Sequence, residues 1–134
     1  MERDMVNAII IRNGKLLTLY NIKHGERRIE PPGGKKHHEE TAEQCLLREV
    51  DEEIGVMVEV GRPFGKFTTI TPEGPFNIYS YLAKIIGGEP YNKEPGKHEK
   101  IAWHTMEELR EFAQQGLLVP NLIEALDKLE EHMG

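Results

Sequence analysis

The stretch from Gly33 to Val56 constrains the fold more than any other part of the chain. Ala42, Leu46, Val50 and Ile54 recur every four residues, with Cys45 and Leu47 at the flanks of the stripe, a pattern that predicts a helix burying one face. Thr41 followed three residues later by Gln44 has the form of a capping box and sets the helix start. Gly55 suits the left-handed residue just past the last turn. Ahead of the helix, Pro31-Pro32-Gly33-Gly34 reads as a stiffened approach to a turn whose glycines let backbone come close to a ligand.

The flanking segments read as strands. Met5 to Arg12 and Lys15 to Tyr20 form a hairpin about Asn13-Gly14, a pair that tolerates positive φ at both turn positions. Residues 21 to 40 read as irregular. Strands are expected at Met57 to Val60, Gly65 to Ile70, Phe76 to Ile86 and Ile101 to His104. A polar loop from Gly87 to Lys100 precedes the last of these. Thr105-Met106-Glu107-Glu108 opens a second capped helix that ends before Gly116. Leu122, Ala125, Leu126, Leu129 and Met133 give a final amphipathic helix. The order is an α+β pattern with a mixed sheet.

The chemistry is concentrated on the first helix. Glu49, Glu52 and Glu53 stand at i, i+3 and i+4 on a face away from the apolar stripe, and Asp51 adds a further acid. Such like-charge pairs cost roughly a few tenths of a kcal/mol each. They also lie near the helix C-terminus, where the dipole disfavours anions. Arg48 offsets only part of this. Two readings follow: a solvated acidic face, or a site whose missing counter-charge is a metal. Three convergent carboxylates suit a hard cation, Mg²⁺ or Mn²⁺.

The full spacing is Gly34, five residues, Glu40, seven residues, then Arg48-Glu49-Val50-Asp51-Glu52-Glu53-Ile54-Gly55-Val56. This resembles, at every defined position, the Nudix box G-x5-E-x7-R-E-U-x-E-E-x-G-U, in which U is a bulky aliphatic residue. The resemblance implies a single Nudix hydrolase domain over 1–134, with the box at 34–56, folded as an α/β/α sandwich around a mixed sheet. It implies hydrolysis of a phosphoanhydride bond in a nucleoside diphosphate-linked substrate. Carried over by position, Glu49, Glu52 and Glu53 are the expected metal ligands, with a backbone carbonyl of Gly33 or Gly34. Arg48 is expected to orient Glu49 and pair with Glu40. Glu52 or Glu53 is one candidate base. A glutamate on a later loop is the other, and here Glu94 and Glu99 stand as candidates beside the plain reading of ordinary loop acids.

The segments Ile29-Glu30-Pro31-Pro32-Gly33-Gly34-Lys35 and Gly88 to Glu94 are similar to the MutT-type nucleoside triphosphate pyrophosphohydrolases. That likeness makes Glu30, Lys35 and Asn121 candidates for substrate contact, and Asn121 reads equally as a helix N-cap. Pro31 stands where that group packs a phenylalanine on the base, which sets its 8-oxoguanine preference in question for this chain. Trp103, Tyr79, Tyr81 and Phe67 could stack on a base or belong to the core. His37-His38 reads as solvated loop. The alternative substrate class is ADP-ribose or a nucleotide sugar, because Pro72 lies near a marker of those enzymes. A third reading, a non-catalytic nucleotide-binding module, is opposed by the complete set of box glutamates.

Charge and composition agree with a small-molecule substrate. The formal net charge is −6, which opposes binding to a long nucleic-acid backbone, whereas cations held on carboxylates recruit a small polyanion. No apolar run is long enough to span a bilayer, and the charged start Met1-Glu2-Arg3-Asp4 does not resemble a secretory signal. The single cysteine, Cys45, excludes an internal disulfide and points to a reducing cytoplasm. A homodimer fits the family resemblance.

Overall fold

A computed structural model describes residues 3–23 and 25–133. Met1, Glu2 and Gly134, the ends of the expected domain and part of its charged start, lie outside the described residues. The chain runs β1 (Arg3–Arg12), β2 (Lys15–Lys23), β3 (Glu26–Glu30), β4 (Gly33–Lys35), α1 (Ala42–Ile54), β5 (Met57–Thr71), β6 (Gly74–Gly87), β7 (His98–His104), α2 (Met106–Gln114), α3 (Pro120–Glu124) and α4 (Leu126–Met133).

Strand β1 organises the mixed sheet. Its first eight residues pair in parallel with Phe76–Ala83 of β6, while Met5, Val6 and Asn7 pair antiparallel with β4 on the other side. Its end turns through Asn13 (φ 54) and Gly14 (φ 72) into β2, the positive-φ pair a tight hairpin requires. β2 then pairs with both β3 and β7.

Alternation along these strands divides the core into two layers. Ala8, Ile10, Leu17 and Leu19 pack against Cys45, Leu46, Val50 and Ile54 of α1. Ile9, Leu16 and Tyr20 point the other way, onto Leu109 of α2, Leu122 of α3, and Leu126 and Leu129 of α4. The sheet is therefore sandwiched between α1 and the three C-terminal helices. Helix α1 begins with the reciprocal Thr41–Gln44 capping box and ends at Gly55 in the left-handed conformation. Thr105 and Glu108 form the same box on α2.

Three expectations are corrected. The segment 21–40 contains β3 and β4, which the sequence conceals because β3 is charged and β4 is two glycines and a lysine. The two strands expected between Met57 and Ile70 are one, bent by register shifts at Val60/Pro63 and Pro63/Gly65, where proline and glycine commonly mark bulges. The last helix is two, with Ala125 closing α3 before α4 begins.

Candidate functional site

A cleft of about 640 Å³ opens where β4, the second half of α1, the start of β7 and the start of α3 meet. Gly33, Gly34, Glu49, Glu53, Glu94, His98, Glu30 and Asn121 all line it. Each is delivered by a specific local feature.

The glycines allow β4 to lie directly under α1. A Cβ on Gly34 would stand 2.6 Å from the Glu49 Cδ, so the Glu49 carboxylate occupies the space a side chain would take. The Gly33 N–H donates to Glu53 Oε1 at 2.7 Å. Arg48 fastens the preceding loop to the helix. Its Nη2 and Nε donate to the two Glu40 oxygens at 2.7 and 3.0 Å, and its Nη1 donates to Glu49 Oε1 at 2.8 Å. This pairing holds the Glu40 carboxyl down at about 2 and raises the Arg48 guanidinium above its ordinary value.

The loop after β6 is docked on the last turn of α1. Lys93 N–H donates to the Glu53 carbonyl at 3.0 Å and Tyr91 N–H to the Ile54 carbonyl at 3.1 Å, which satisfies acceptors that a helix end leaves open. Asn92 then bridges the next turn. Its Oδ1 accepts from Glu94 N–H at 3.2 Å and its Nδ2 donates to the His98 carbonyl at 2.7 Å. Glu94 and His98 are thereby set against Glu53.

Glu53 is the most perturbed acid of the cleft. It is 6% exposed, and burial pushes its carboxyl up to about 7, with the His98 imidazole and the Gly33 N–H opposing the shift and the Glu49 charge adding to it. A buried glutamate short of counter-charge, beside a second carboxylate, is a donor set suited to a hard divalent cation. The residues present fit such an ion.

Other expected site residues are placed elsewhere. Glu52 is on the outer side of α1, about half exposed, with its Oε1 3.4 Å from Arg48 Nη1. Glu99 forms a two-point pair with Arg27 at 2.8 and 3.1 Å and does not line the cleft. It follows His98 in β7, and successive strand residues face opposite ways. Lys35 pairs with Glu73 at 3.1 Å, above the Phe76 ring. Trp103 packs in the α1 layer under the Arg12 guanidinium, 4.7 Å from its ring centroid, and is removed from the cleft. Asn121 is the second residue of α3, not its cap. Val119 holds the cap position, and Asn121 is 8% exposed and faces the cleft. Tyr79, Tyr81 and Phe67 are also absent from the lining. Asn92 and His98 are residues the sequence did not single out, and of the two only His98 lines the cleft. Its signal was the spacing Glu94-x-x-x-His98, which a single turn brings together.

Comparison with known proteins gives a consistent result. A family model described as NUDIX domain matches residues 1–127. The 8-oxo-dGTP diphosphatase of Haemophilus influenzae is 30% identical over 106 residues, covering 76% of this chain and 78% of that protein. The 8-oxo-dGTP diphosphatase of Escherichia coli is 34% identical over 76 residues, 55% of this chain and 59% of that protein, less than two thirds of the relative. A crystal structure of a MutT NUDIX hydrolase from Burkholderia pseudomallei superposes with a TM-score of 0.81 at 26% identity, covering 95% of this chain and 97% of that one.

Proposed function

This chain belongs to the Nudix family and is a Nudix hydrolase, and from that premise we propose that it is a metal-dependent nucleoside triphosphate pyrophosphohydrolase, releasing a nucleoside monophosphate and pyrophosphate. The observation that carries the reading is the buried Glu53, held by the Gly33 N–H beside Glu49 at the floor of the cleft. The names of the bacterial relatives support a triphosphate substrate.

In this reading Glu49 and Glu53, with a backbone carbonyl of Gly33 or Gly34, would hold Mg²⁺ or Mn²⁺, and Glu52 would join them by swinging in from the outer side of α1. A bound divalent cation neutralises phosphate charge and acidifies water. Arg48 keeps Glu49 turned toward the cleft while pinning the loop through Glu40. Glu94, partly exposed at the cleft wall, takes the proton from the attacking water. Asn121 and Glu30 face the substrate, and Asn121 offers the donor and acceptor needed to read a base edge. Glu99, Lys35 and Trp103 have no part in this assignment, because their partners hold them outside the cleft. The reading includes a cytoplasmic location and a homodimer, the latter checked by light scattering. Among the described residues no helix is long and apolar enough to cross a membrane.

Pro72 lines the same cleft, which favours ADP-ribose or a nucleotide sugar as the second reading. A hydrolysis screen with Mg²⁺ and with Mn²⁺ separates the two. It spans ordinary and oxidised (d)NTPs, ADP-ribose and nucleotide sugars, with products resolved by chromatography. Monophosphate plus pyrophosphate is the expected result. Cleavage confined to ADP-ribose or sugar nucleotides would replace the first reading with the second.

A further inference from the structure

We propose that His98 is a nitrogen ligand for a divalent cation, held jointly with Glu53 and Glu94 at a position on the loop side of the cleft. The inference rests on the metal-dependent reading given above and adds to it a donor that is not a box residue.

His98 is 4% exposed, and neither ring nitrogen makes a hydrogen bond among the described residues. Burying an imidazole whose ring nitrogens make no well-formed hydrogen bond is costly, so the two carboxylates beside it must supply the reason for its position. Its Nε2 lies 3.4 Å from Glu53 Oε2 and 3.8 Å from Glu94 Oε1. One ligand atom from each of the three residues can be chosen so that all lie within 4.8 Å of one another. Ligand atoms that share an ion at about 2.1 Å sit roughly 3.0–3.4 Å apart at right to tetrahedral angles. The 3.4 Å separation of His98 from Glu53 matches that of two ligands on one ion, and the 3.8 Å separation from Glu94 is a few tenths of an ångström wider, a gap that a small side-chain rotation closes.

The backbone is built to keep the trio together. His98 N–H and Lys97 N–H both donate to the Glu94 carbonyl, at 3.0 and 2.9 Å. Asn92 ties positions 94 and 98, and Lys93 ties the loop to the Glu53 carbonyl. Two further charges stand near the trio: the Glu49 carboxylate beside Glu53, and Lys97, whose Nζ lies 3.4 Å from Glu94 Oε2. Glu94 has a second oxygen, so one on the cation leaves the other to accept a proton.

A nitrogen donor changes which ions the site prefers. Imidazole suits Mn²⁺ less than Co²⁺ or Zn²⁺, and all of these more than Mg²⁺. His98→Gln should therefore weaken Co²⁺ binding by roughly tenfold or more and leave Mg²⁺ binding nearly unchanged.

The deciding measurement is pulsed electron paramagnetic resonance of Mn²⁺ bound to the full chain. Protein labelled with ¹⁵N-histidine is compared with unlabelled protein, and calorimetry follows the affinity. The expected result is a directly coordinated imidazole nitrogen whose coupling changes on labelling and is lost in His98→Gln. Mn²⁺ bound without nitrogen coupling in the natural chain would overturn the His98 assignment and leave the metal-dependent reading standing. Absence of any Mn²⁺ binding would overturn both. The labelled natural chain needs no substitution, so poor folding of the variant does not blunt the test.

Discussion

Replacing Gly33 and Gly34 by alanine, one at a time, should separate folding from chemistry at adjacent positions. A Cβ on Gly33 would lie 2.2 Å from the Val6 carbonyl oxygen and 2.5 Å from Asn7 Cα, on a backbone with φ of +153. Those atoms are the backbone of β1, the strand that organises the sheet, and cannot swing aside. Relief needs a shift of about 1 Å between β4 and β1, and the dihedral strain persists. Together these cost about 3–5 kcal/mol, a large share of the roughly 5–15 kcal/mol that holds a domain together. A Cβ on Gly34 would instead meet the Glu49 carboxylate, 2.6 Å from its Cδ and 2.7 Å from each oxygen. That group ends a flexible side chain and can rotate away. The stability change should stay within about 1 kcal/mol, helped by the lower chain entropy of unfolded alanine. Rotation, however, breaks the 2.8 Å contact with Arg48 and takes Glu49 out of the cleft. A displacement of this size costs about 100-fold in turnover. Urea unfolding, Mn²⁺ affinity and nucleotide hydrolysis would be measured on both variants. The reasoning is refuted if Gly33→Ala unfolds at the natural midpoint, or if Gly34→Ala keeps full metal affinity and turnover.

Further outcomes follow from the same geometry. Glu53→Gln should lower kcat by about 100-fold or more with the fold intact, and Glu52→Gln, on the exposed side of α1, should lower it less; equal and near-normal turnover in both would remove α1 as the metal helix. The Glu40–Arg48 pair should contribute stability above the ordinary glutamate range and lose it as pH falls from about 4.5 toward 2, because the folded carboxyl is held down at about 2. Allowing for solvent screening, that contribution is about 1–2 kcal/mol, so Glu40→Gln should destabilise at pH 7 and much less at pH 2.5 in urea melts. Trp103→Phe should leave KM unchanged, since the indole packs under Arg12 and not in the cleft; a clear rise in KM would restore it as a base platform. Asn121→Ala should raise KM for a triphosphate, by about 1–3 kcal/mol of lost base contact, without shifting the unfolding midpoint by as much.

The sequence by itself determined much of what depends on local order, though not the break at Ala125 that divides the last helix. The apolar stripe, capping box and terminating glycine of α1 were legible because a helix repeats over a few residues, and its internal hydrogen bonds need no distant partner. The box spacing, from Gly34 to Val56, determined the family for the same reason. The C-terminal apolar face at Leu122, Leu126, Leu129 and Met133 is buried as its spacing requires. Strands β3 and β4 were hidden, because their stability comes from pairing with β2 and β1 and their own residues carry little apolar signal.

Tertiary structure alone decided which acids share the cleft. Glu49 and Glu53 turn inward while Glu52 stays outside, because β4 passes beneath only part of that helix face. It also set Glu94 and His98 against Glu53, by docking a polar loop onto the open carbonyls at the end of α1. The same alternation that brings His98 in sends Glu99 out to Arg27. No periodicity reveals such choices, because each depends on what a residue far along the chain places opposite the side chain.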